Sequence, residues 1–96
     1  MHVAVARLTL RLPESSSLKD KRMVVRSVVQ RVRNRFNAAV AEVDTQDSWR
    51  TATLGFACVS NDARHADEMI AKIVQFVENE RLDAEVEDAE IEVIPV

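Results

Sequence analysis

Two hydrophobic periods alternate along this 96-residue chain. Over residues 2–12, Ala4, Ala6, Leu8, Leu10 and Leu12 alternate with Val3, Val5, Arg7, Thr9 and Arg11, the two-residue period of a strand with one buried face. Residues 13–17 interrupt it. Ser17, followed three residues later by Asp20, reads as a capping box whose hydroxyl satisfies a free amide of the first helical turn. A helix is therefore predicted over 18–36, where Leu18, Val25, Val28, Val29, Val32 and Phe36 recur at spacings of three and four and form one apolar stripe. Asn37 is its predicted stop. A short apolar segment at 38–43, a polar turn at 44–48 and a run over 49–59 predict a hairpin. In its second strand Ala52, Leu54, Phe56 and Cys58 share one face, and Trp49, Thr51, Thr53 and Ala57 the other. Ser60, Asn61 and Asp62 offer acceptors for a second helix. Its broad apolar face includes Ala66, Ile70, Ile73 and Val77 and runs to about Arg81. After a turn at Leu82 and Asp83, alternation returns over 84–94, with Ala89, Ile91 and Val93 opposing Glu90, Glu92 and Ile94. The phase shifts near Asp88, which predicts a bulge.

The order strand, helix, strand, strand, helix, strand predicts an α+β, ferredoxin-like fold, with a four-stranded antiparallel sheet and two helices on one face. The length suits a single domain over residues 1–96. In that topology the last strand lies beside the first, so Arg7 and Arg11 face Glu90 and Glu92, a cross-strand charge pairing.

Composition adds limits. With 47% hydrophobic and 30% charged residues, one Gly and two Pro, the chain has enough apolar material for a core and too little loop-forming material for disorder. A lone Cys58 excludes a disulfide framework and fits a reducing cytosol. No apolar stretch approaches the roughly 18 residues of a membrane span, and no secretory pattern opens the chain. A cytoplasmic protein without a membrane partner is expected.

Charge changes the picture more. The net charge of -3 conceals a division. Residues 1–36 carry nine of the 13 Lys and Arg, with only Glu14 and Asp20 as acids; residues 37–96 carry the other four and 14 acids. Such polarity points to an anionic partner for one surface. The first helix concentrates it, in Lys19, Lys21, Arg22, Arg26, Arg31, Arg33 and Arg35. Few of these have an oppositely charged partner one turn away. At about 100° per residue, Lys19, Arg22, Arg26 and Arg33 fall within roughly 60° of one another. Lys19, Lys21 and Arg22 also crowd the first turn, where the helix dipole disfavours cations. An anion held by these side chains and by the amides after Ser15, Ser16 and Ser17 would relieve that cost. The competing reading is a solvated face balanced by the acidic half of the chain.

Candidate catalytic chemistry is sparse. His2 and His65 are far apart, and His65 falls in the first turn of the second helix, facing solvent. No His, Cys, Asp or Glu pair has a metal-binding spacing, so neither metal nor cofactor is expected. Cys58 reads as a small core filler rather than a nucleophile. The single Gly55 lies in a strand and supplies no phosphate-cradling loop. The aromatic residues are Phe36, Trp49, Phe56 and Phe76. Phe36, Phe56 and Phe76 sit on or beside apolar stripes, which disfavours readout of single strands by base stacking. Trp49, with Val3, Val5, Thr51 and Thr53, falls on the sheet face away from the helices, a surface mild enough to be closed by a second subunit.

The strings RLTLRLPESSSLKDKR, RFNAAVAEVD, QDSW and SNDARHADE, at four separate places, together resemble the YlxP-like family of small bacterial proteins of unknown function. The likeness covers essentially the whole chain. It implies a ferredoxin-like fold and a bacterial cytosolic protein, and its usual gene neighbourhood implies a role near the ribosome. It transfers no catalytic or binding residues. Met23 stands where relatives often carry another basic residue after KDKR.

The expected function is thus non-enzymatic. The chain should dock on structured RNA, such as rRNA or a ribosomal particle, with Lys19, Lys21, Arg22, Arg26 and Arg33 gripping phosphates. The alternative is a homodimeric interaction or regulatory module with Val3, Val5, Trp49, Thr51 and Thr53 at its interface.

Overall fold

In a computed structural model, which describes residues 1–80 and 84–96, the elements are β1 (His2–Arg11), α1 (Leu18–Arg35), β2 (Ala39–Asp44), β3 (Thr51–Ser60), α2 (Ala63–Asn79) and β4 (Glu85–Pro95). The sheet order is β2-β3-β1-β4, with every neighbouring pair antiparallel. This is the ferredoxin-like α+β arrangement. The predicted continuation of α2 to Arg81 and the turn at Leu82 and Asp83 lie outside the described residues.

Alternation sets the core. Ala4, Ala6, Leu8 and Leu10 of β1, and Ala52, Leu54, Phe56 and Cys58 of β3, are buried against the helices. Ala66, Ile70, Ile73, Val74 and Val77 cover them from α2. α1 contributes less apolar surface, burying Val28 and Val32. It packs over β2 and β3, while α2 packs over β1, β3 and β4. Asp62 caps α2 by accepting from the Arg64 amide at 3.0 Å, one free donor of the first turn thereby being met. The bulge falls where alternation slips: Thr9 pairs with Asp88 and Leu10 with Val86, which leaves Glu87 as the extra residue. No helix among the described residues is long and apolar enough to cross a membrane.

The other face of the sheet is open. Val3 and Val5 lie on it at intermediate exposure, as does Thr51. Two expectations for this face need correction. Thr53 lies on it but is buried, and its amide donates to the Thr45 hydroxyl at 2.9 Å. Trp49 does not belong to the strand: β3 starts at Thr51, and Trp49 is 48% exposed in the preceding loop, with the Arg50 guanidinium 5.9 Å from its ring centroid.

A candidate nucleic-acid interface on the first helix

α1 begins where the sequence places it. The Ser17 hydroxyl accepts the Asp20 amide at 3.1 Å. The Asp20 carboxylate reaches back to accept the Ser16 amide at 3.0 Å and the Ser16 hydroxyl at 2.8 Å. The expected anion at this helix end is therefore supplied by the chain itself, and the Ser16 amide is not available to an outside phosphate. The Ser16 amide, then its hydroxyl, hold the Asp20 carboxyl below its ordinary value of 3.8. A carboxyl lowered on folding contributes stability that is present above its unfolded pKa and is lost as the pH falls through the folded one. The gap in urea midpoint between the wild type and Asp20→Asn should accordingly narrow from about pH 7 to about pH 3. A constant gap would contradict the assignment.

Lys21 is the main correction. Only 2% exposed, it is buried between helix and sheet rather than offered to phosphates. Its Nζ lies 2.7 Å from Glu42 Oε2 of β2 and donates to the Thr45 carbonyl. The signal for this was present in the sequence. Lys21 stands three residues after Leu18, four before Val25 and seven before Val28, inside the apolar stripe. Glu42 shares the inward face of β2 with Val40, opposite Leu54 and Phe56. A buried lysine of this kind requires an ionised partner, and the inward Glu42 is that partner. The pair joins α1 to β2 and pins the β2–β3 loop at Thr45, whose φ is 66°.

The remaining cations of α1 divide into two groups. Arg31 pairs with Glu80 at 3.4 Å, and Arg35 lies 5.2 Å over the Phe76 ring. Lys19, Arg22 and Arg26 are exposed, and among the described residues no carboxylate lies within 4.0 Å of them. Arg33 is also exposed; its Nη2 donates to the Val40 carbonyl at 3.1 Å, which anchors the side chain without neutralising it. That contact sets this flank of α1 beside β2. Met23, 62% exposed, is the one large apolar side chain on the helix's solvent side. The arrangement is a short row of cations whose partners are solvent or an external anion.

Among the described residues no catalytic grouping lies beside it. His65 is exposed on α2. Cys58 is buried, and desolvation raises its thiol pKa above the usual 9.0, which disfavours the thiolate a nucleophile requires. Among the described residues no three His, Cys, Asp or Glu side chains converge as a metal site would need.

The acidic half lies elsewhere. Glu85, Glu87, Asp88, Glu90 and Glu92 are exposed along β4, the edge strand farthest from β2. Arg11 lies 4.0 Å from Glu85. Arg7 stands opposite Glu90 in register, yet among the described residues it has no carboxylate within 4.0 Å. The cross-strand charge pairing is thus partial.

Comparison with known proteins agrees with the motifs. The family described as "Protein of unknown function (DUF503)" matches residues 3–91. The chain is also 30% identical over 66 residues to the uncharacterized protein YlxP of Bacillus subtilis (strain 168), an alignment covering 69% of this chain and 72% of that protein. With nearly the whole length matched, the chain belongs to the DUF503, YlxP-like family of proteins of unknown function.

Proposed function

We propose that this protein is a non-enzymatic RNA-docking module of the bacterial cytosol. It engages structured RNA, such as rRNA in a ribosomal particle, through phosphate contacts from Lys19, Arg22 and Arg26, with Arg33 at the far end of the row. The observation that carries this reading is the exposure of those first three cations on one helix flank, without carboxylate partners among the described residues. The acids that the chain carries in excess lie along β4 and leave these cations to solvent or an external anion. Phosphate contacts position a protein on nucleic acid without specifying sequence, and their strength falls steeply with salt.

Three or four such contacts predict that affinity for ribosomal particles or a folded rRNA fragment drops roughly 50-fold between about 50 and 200 mM salt. Reversing the charges in Lys19→Glu, Arg22→Glu and Arg26→Glu together should weaken binding at least about 100-fold and flatten the salt slope by about one per contact removed. The melting temperature should stay within a few degrees, because all three side chains are exposed. Unchanged affinity, or a salt-independent one, would end this reading.

A further inference from the structure

The open face of the sheet has a size pattern that reverses across its width. On the β2–β3 half the outward residues are small: Ala39 beside Ala57, then Ala41 beside Gly55. With Val5, Arg7, Glu90 and Glu92 of the other half they line a trough of about 690 Å³. A Cβ on Gly55 would lie 2.9 Å from Val43 Cγ1, so a larger residue there would force the Val43 side chain to shift. On the β1–β4 half the same two rows continue with long side chains: Val5 and Glu92, then Arg7 and Glu90. The next row carries Val59, Val3 and Ile94, of which Val59 is 62% and Ile94 38% exposed.

We propose that a second copy of this chain closes this face about a two-fold axis parallel to the strands. That operation keeps each row over itself and reverses the strand order. Glu92 of one copy then faces Ala39 of the other, Glu90 faces Ala41, Arg7 faces Gly55, Val5 faces Ala57, and Val3 faces Val59. Larger side chains meet small ones in the first two rows, and valine meets valine in the third, a self-complementarity that a two-fold interface demands. The alternative axis, perpendicular to the strands, stacks acidic β4 on acidic β4. The axis parallel to them places β4 over β2, whose outward Ala39 and Ala41 carry no charge, and so avoids that stacking of like charges. The area is adequate. Four strands spaced about 4.8 Å and ten residues rising about 3.3 Å each cover roughly 600 Å² per copy, or about 1,200 Å² in total, the lower bound of a stable specific interface. Both helices remain outside, and the α1 cations face away from the contact.

Sedimentation should give twice the 10.8 kDa chain mass at micromolar concentration. Ala41→Arg fills the trough at an exposed position; it should leave the fold intact by circular dichroism and weaken self-association at least about tenfold. Lys19→Glu with Arg22→Glu should leave the dimer unchanged, which separates this interface from RNA docking. Orientation is read by mild oxidation of Ala39→Cys and Glu92→Cys proteins. Their mixture should give a disulfide-linked pair, while each alone should not, and the buried Cys58 should take no part. A monomeric wild type, a dimer indifferent to Ala41→Arg, or cross-linking of Ala39→Cys to itself would each overturn the proposal.

Discussion

Replacing Lys21 by Met is expected to lower stability by about 2–3 kcal/mol, a drop of roughly 10–20 °C in melting temperature for a domain of this size. The aliphatic stem is retained, so the loss arises from charge. Glu42, whose side chain is 22% exposed, would be left against the underside of α1 with no cation beside it. Removal of one member of a fully buried pair costs about 3–5 kcal/mol; the partial access of water to Glu42 brings the loss to the bottom of that range or just under it. The Thr45 carbonyl would lose its Lys21 donor as well, and retain the Ser48 amide at 3.0 Å. Lys21→Met combined with Glu42→Leu should recover most of the loss, because an apolar pair of similar volume removes both desolvation penalties. Chemical denaturation of the two single variants and the double variant measures the coupling directly. A Lys21→Met protein as stable as the wild type would show that the ammonium group is solvated and free, in which case Lys21 would rejoin the phosphate-binding row.

Phe56→Ala should be more damaging, at about 3–5 kcal/mol, a large share of the 5–15 kcal/mol typical of a whole domain. Phe56 is 2% exposed at the middle of β3, opposite Ala6 on one side and Val40 on the other. Its inward neighbours along and across the strands include Cys58, Ala4 and Ala6. Small side chains such as these cannot extend into the space a lost ring leaves, so the cavity persists and its full cost is felt. Urea unfolding would measure the loss. A cost below about 1.5 kcal/mol, the range of a well-accommodated core change, would mean that the helices collapse onto the sheet more freely than this packing allows.

Much of this architecture is legible in the chain because its periods are unambiguous. β1 alternates without an error, the capping box fixes the start of α1, and the slip in phase near Asp88 marks the real bulge at Glu87. What escaped is long-range. Lys21 reads as one more cation in a basic run until its angular position among Leu18, Val25 and Val28 is weighed against its charge. Its partner Glu42 lies on another element. Trp49 looks like the start of an alternating strand, yet the chain turns at Thr45 in a left-handed conformation, and β3 does not begin until Thr51. That turn depends on contacts with Lys21 and Thr53, which no local pattern encodes. For the cation row, sequence supplied the residue types and the helical angle, and only the side-chain partners could divide Lys19, Arg22 and Arg26 from Lys21, Arg31 and Arg35.

Acidic β4 and basic α1 stand at opposite edges of a sheet four strands wide. A single copy charged in this way feels a torque before it feels a contact: in the field of a polyanion it rotates helix-first during the last Debye length of its approach, about 10 Å in 0.1 M salt. Encounters would therefore begin in a productive orientation even though the molecule as a whole is repelled.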